Sequence, residues 1–108
     1  LHLSLRRQRQ MCIRDRIRAG LPEPELQVAV DPADPASPVV DLGYRGARLA
    51  LQYDGAGHRT AQQQARDARR DAYCLEREWT TLRCTWEDQR AGFGRIVGLV
   101  RRRLARTR

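Results

Sequence analysis

The chain contains no lysine. All 21 of its basic residues are arginine, set against 13 acids, for a formal charge of +8 over 108 residues. Any chemistry that rests on a lysine ammonium must therefore be done by another group. Cysteine is scarce and odd in number: Cys12, Cys74 and Cys84, with no CxxC pair and no zinc-ligand spacing. That argues against a disulfide scaffold. Cys74 and Cys84 read instead as small apolar core residues of a reduced, cytoplasmic protein. No apolar run reaches the length of a membrane span, and no stretch reads as a signal peptide, so no membrane partner is expected.

The arginines that are present sit unevenly. Residues 1–18 carry six arginines and one aspartate, and residues 95–108 carry six arginines and no acid. The stretch between them holds nine arginines and twelve acids. The chain is a slightly acidic body with basic ends. Such ends suit contacts with phosphate. Charge alone supports equally a composition set by codon usage and solubility.

The opening LSLRRQRQMCIRDR, from Leu3 to Arg16, resembles a translated sequencing-adapter tail. Residues 1–18 are accordingly expected to be a non-native or disordered basic tail. At most they would form a short helix with Leu3, Ile13 and Ile17 as weak apolar points. The remainder, 19–108, is expected to be one domain. Because the chain opens on Leu1, it is expected to be the C-terminal part of a longer protein.

Within that body Leu26 to Val30 alternates and is β-rich, which predicts a first strand. Asp31 to Pro38 is a proline-rich loop. Val39 to Tyr44 predicts a second strand, with Asp41 as its one charge. A tight turn at Arg45-Gly46 leads into a third strand, Arg48 to Tyr53, forming a hairpin. Thr60 to Glu78 predicts a helix with Thr60 as N-cap. Its Ala61, Ala65, Ala68, Ala72 and Leu75 fall on one stripe, expected to pack against the sheet. Trp79 to Thr85 predicts a fourth strand, and Asp88 to Gly94 a connection. Arg95 to Arg106 predicts a last helix with Ile96, Val97, Val100 and Leu104 inward. The order β-β-β-α-β-α, with a helix between strands three and four, implies a crossover and a parallel pair. The expected fold is α/β: a small mixed β-sheet with flanking helices.

The segment LQYDGAGHRT at 51–60 then poses a chemical question. Alone, Asp54-Gly55 is only a turn, and His58 only a loop histidine. Together with Asp41 on the neighbouring strand, Gln52 and Asp54 form an oxygen-rich group. Residues two apart share a face, so Gln52 and Asp54 lie on one side of the strand. With His58 beside them, such a group suits a divalent metal and an activated water.

From Val39 to Thr85 the chain resembles the PD-(D/E)xK-type endonuclease fold. It is most similar to a bacterial domain group akin to the very-short-patch mismatch-repair endonuclease. The group's pattern is an Asp in one strand, then Glu-x-Asp-Gly-x-x-His. A helix with Gln, Asp-x-x-Arg and Leu follows, then Gly-Trp and a strand ending near Arg-x-Thr. Here Asp41, Asp54, Gly55 and His58 match. So do Gln63 or Gln64, Asp67, Arg70, Leu75, Trp79, Arg83 and Thr85. Two positions depart: Gln52 stands where the group has an acid, and Glu78 where it has glycine before Trp79. The lysine of the broader fold is replaced by Asp54, as in this group.

The resemblance implies a restriction-endonuclease-like domain over 19–108 and a metal-dependent DNA endonuclease. In it Asp41, Gln52 and Asp54 hold Mg²⁺ (or Mn²⁺), and His58 activates the attacking water. Asp67 and Arg70 support these groups from the helix, or form only a surface pair. DNA is the implied partner, with no small organic cofactor. Gln52 removes a negative charge, so metal affinity and activity are expected to fall. The competing expectation is an inactive nucleic-acid-binding or regulatory module of a defence or toxin–antitoxin-like protein that keeps the fold.

Overall fold

The computed structural model describes residues 2–54 and 60–106, and within them the side chains of residue 8, residues 10–53 and residues 60–106. Four strands form one sheet in the order β1 (Glu25–Ala29), β2 (Val39–Tyr44), β3 (Leu49–Asp54), β4 (Thr80–Thr85). The first two pairings are antiparallel and the β3–β4 pairing is parallel. The parallel pair exists because α2 (Ala61–Glu76) carries the chain from β3 back to the start of β4. The α/β class, the mixed sheet and the crossover agree with the sequence reading.

Two cores flank the sheet. On one face Leu42, Tyr44, Leu49, Leu51 and Cys84 meet Ile96 and Val100 of α4 (Gly94–Arg106). On the other, Val28, Val30, Val40 and Ala50 meet Cys74 of α2 and Trp79. The short helix α3 (Trp86–Arg90) lies between β4 and α4, where the sequence suggested a plain connection. Its start is fixed by Thr85 and Asp88, whose side chains each accept from the other's backbone N–H.

The first residues do not behave as a disordered tail. They form α1 (His2–Arg18), and Ile13 and Ile17 are 1% and 0% exposed in the first core. Their burial removes two large aliphatic side chains from water, each worth about 1.5–3 kcal/mol. Among the described side chains of α1 these two dock the helix, and they fall four residues apart on one stripe.

The alanine stripe of α2 is a second correction. Ala61, Ala65, Ala68 and Ala72 are exposed, and Leu75 is 75% exposed. Toward the sheet the helix turns Asp67, Arg70, Asp71 and Cys74 instead. Both stripes have helical spacing, so periodicity could not separate them. The sheet decides: β4 presents Arg83, and Asp71 Oδ2 accepts from its Nη2 at 2.6 Å.

At the end of α2 the chain turns through Glu78, where the resembling group has glycine. The N–H of Glu78 donates to Leu75 O (3.0 Å) and that of Trp79 to Cys74 O (2.8 Å). This pair of bonds closes a helix with its next residue in the left-handed region, usually glycine. Glu78 occupies that position at φ +62°.

Candidate functional site

The paired residues of β2 and β3 run from Tyr44↔Leu49 to Leu42↔Leu51. One step further, where Asp41 comes opposite Gln52, side chains take over from the backbone. The N–H of Asp41 donates to Gln52 Oε1 at 3.3 Å, and that of Tyr53 donates to Asp41 Oδ2 at 3.0 Å. From α1, Gln10 Nε2 donates to Asp41 Oδ1 at 3.2 Å. Gln10, Asp41 and Gln52 are 5%, 5% and 3% exposed. Beyond this fork β3 stays with β4, through Gln52↔Arg83 and on to Asp54↔Thr85.

The fork is also a kink. Residues two apart on a regular strand share a face, yet Val40 packs in the core beside α2 and Leu42 in the core beside α1 and α4. The alternation breaks at Asp41. Opposite it, between the pairs Leu26↔Leu42 and Val28↔Val40, Gln27 takes φ +50°. Irregularities of this kind re-aim side chains and end pairing, and they cluster beside active sites. The kink is what turns the single charge of β2 into the fork rather than into solvent.

A polar layer extends from the fork under α2. Asp71 is tied to Arg83, and Asp67 Oδ1 accepts from Arg70 Nη2 at 3.4 Å. Asp67 and Arg70 are thus partners of one another. Gln52 Nε2 and Asp71 Oδ1 are both buried without a hydrogen-bond partner among the described residues. Leaving such groups unmet costs about 1–3 kcal/mol each.

At the end of β4, Asp88 receives a two-pronged contact from Arg95, at 2.8 Å to Oδ1 and 2.6 Å to Oδ2. The Arg95 hydrogen bonds, helped by those from Thr85, hold the Asp88 carboxyl down at about 2 against the resistance of burial. Burial pushes the Cys84 thiol up to about 12, so it carries no nucleophilic thiolate at neutral pH.

The structure brings Asp41 and Gln52 together as the sequence proposed, and carries the β3 backbone on to Asp54. The Asp54 side chain, Gly55 and His58 lie outside the described residues. Among the described residues no group of three or more His, Cys, Asp and Glu comes together to hold a metal. Sequence reasoning missed Gln10 and Asp71. Gln10 was set aside with the tail. Asp71 lies one turn after Asp67 on the same stripe, a signal masked by the more regular alanines. No helix among the described residues is long and apolar enough to cross a membrane.

Comparison of the chain with protein-family models, with curated proteins and with solved structures finds no match.

Proposed function

We propose that the chain is a DNA phosphodiesterase of the PD-(D/E)xK type, dependent on a divalent metal and weakened by Gln52. The observation that carries this reading is the buried Asp41 at the fork of β2 and β3, beside the carboxyl ends of two parallel strands. Open α/β sheets take their ligands at strand carboxyl ends. A lone acid on a small domain is not kept there by chance of solvation, since buried carboxylates need partners.

The fork's two side chains fit a cation unequally. Asp41 offers carboxylate oxygens of the hard type that Mg²⁺ takes. Gln52 does not fit. Its Oε1 is the acceptor for the Asp41 N–H. A flip of the amide would set its NH₂ against that N–H, so the oxygen is locked in place. What Gln52 turns to the remaining side is a donor, Nε2, which a cation repels. A glutamate here would keep one oxygen on the Asp41 N–H and present the second.

A bound metal would supply charge neutralisation on the phosphate and a more acidic water. Asp41 would hold it, with Asp54 the further acid proposed from sequence. Gln52 would hold Asp41 in register and give its free N–H to a phosphate oxygen. Arg83, placed beside Gln52 by the strand register and anchored on Asp71, offers a cation toward the same anion. His58 is retained as the candidate base.

The second reading is a binding module without cleavage. The locked Gln52 oxygen favours it. Plasmid incubation with Mg²⁺, Mn²⁺ or EDTA, using the full chain and Gln52→Glu, separates the two. Metal-dependent nicking by both supports the nuclease. Nicking by Gln52→Glu alone means a site disabled at one atom. Silence from both folded proteins leaves the binding module.

A further inference from the structure

We infer that α4, together with the end of α1, forms a docking surface for the sugar–phosphate backbone of a nucleic acid, on the sheet face opposite α2. This rests on the proposed reading only for its partner, and is tested by binding alone.

Many arginines of the body are ion-paired: Arg45 with Glu25, Arg48 with Glu78, Arg70 with Asp67, Arg77 with Asp31 and Asp34, Arg83 with Asp71, Arg95 with Asp88. Arg66 and Arg69 of α2 and Arg90 of α3 are exposed without such a partner among the described residues, but they stand on elements that also carry acids: Asp67, Asp71 and Glu76 on α2, Glu87 and Asp88 on α3. Arg18, Arg101, Arg102 and Arg106 are exposed and have no carboxylate partner among the described residues. No acid follows Asp88 in the chain, and Asp15 is the sole acid of α1. The positive charge here is not consumed inside the fold.

The two helices present this charge as one surface. Arg16 Nε donates across to Gly92 O at 3.1 Å, just ahead of α4. At the other end Arg101 Nη2 comes within 3.9 Å of where a Cβ on Gly20 would sit, just past α1. Ile13 and Ile17 of α1 and Ile96 and Val100 of α4 share one core, which fixes the helices on the same face of the sheet. On α4 the buried and charged sides are opposed: Ile96 and Val100 are fully buried, while Arg102 and Arg106 stand one turn apart outside.

The chemistry selects the occupant. An acidic protein and an anionic bilayer both carry negative charge. A helix that binds a bilayer inserts its apolar side, and the apolar side of α4 is already spent in the core. Guanidinium groups make paired hydrogen bonds to phosphate, and each phosphate contact releases counterions. A row of unpaired arginines with no competing acid matches a polyphosphate backbone without regard to base sequence.

The test is equilibrium binding of a short fluorescent DNA duplex to the full chain in EDTA, across a salt series. Two variants lose the same charge: Arg101→Gln/Arg102→Gln on this surface, and Arg45→Gln/Arg48→Gln on the hairpin turn. The first should weaken binding roughly tenfold or more at low salt and reduce the slope of log Kd against log salt by about 2. The second should leave the slope unchanged. Equal losses in both variants would overturn the proposal, since net charge alone would then suffice. So would unchanged binding by the first, or tighter binding of phosphatidylserine vesicles than of DNA. Binding through this surface by a chain that never cleaves would leave the inference standing and remove the nuclease reading.

Discussion

Asp41 and Gln52 hold β2 and β3 together where the backbone no longer does. The Asp41 N–H donates to Gln52 Oε1, and Asp41 returns a carboxylate oxygen to the N–H of Tyr53. Two orphan donors at the end of a ladder are thus met by side chains, as buried N–H groups require. Any chemistry at the fork must work around this structural duty.

Gln52→Glu should therefore be unstable without metal and recover with it. Two buried carboxylates side by side repel, and desolvation opposes their ionisation. We expect a loss of about 1–3 kcal/mol in EDTA. Millimolar Mg²⁺ or Mn²⁺ should restore most of that loss and hardly move the parent. Thermal melts in both conditions read the difference. A variant equally unstable with and without metal would argue that no cation enters the fork.

Ile17→Ala should cost about 2–5 kcal/mol, because the side chain is fully buried between helix and sheet. Urea unfolding followed by tryptophan fluorescence measures it. An undocked tail would tolerate the same change within about 0.5 kcal/mol. Gln10→Ala adds a finer check, since it removes the amide on Asp41 without opening the aliphatic contact.

Glu78→Gly should stabilise the chain by about 1 kcal/mol. A left-handed φ of +62° strains any residue with a Cβ, and glycine adopts it freely. The exposed Arg48–Glu78 pair lost in the exchange has side chains 55% and 83% exposed, so it contributes little. A melting temperature that falls would show that the pair outweighs the strain.

Asp88 should make stability sensitive to acid. Its folded carboxyl is held near 2, below the ordinary 3.8, chiefly by Arg95. A depressed folded value contributes stability that is present above the unfolded value and is lost as pH falls through the folded one. The window is therefore from about pH 4 down to about pH 2. With Arg95 half open to water, the contribution is on the order of 1–2 kcal/mol. Asp88→Asn should flatten that part of the profile in unfolding curves taken across this range.

Most of the elements were legible because their signals are local. The proline-rich loop, the apolar run of β2, the alternation in β3 and the Thr60 cap each depend on a few adjacent residues. The inward choice on α2 was not legible. Alanine and charged stripes share one period there, and only the Arg83 side chain across the layer separates them. The short α3 was missed because its capping pair, Thr85 and Asp88, spans the end of a strand. At the site, Asp41 was readable as the one charge of β2, and Gln52 from the alternation along β3. Gln10 was not, because its partner lies 31 residues away.

An α/β chain with a hairpin, a crossover helix and a parallel pair follows from local signals: periodicity and turn residues specify those elements, and connection length decides strand direction. The bonding at the fork follows from packing. Hydrogen bonds between Asp41, Gln52, Tyr53 and Gln10 depend on a kink and on a docked helix, and neither is written in residue spacing. Tertiary packing alone also sorted the arginines into paired and unpaired. Composition counts charges but cannot say which of them the fold has already used.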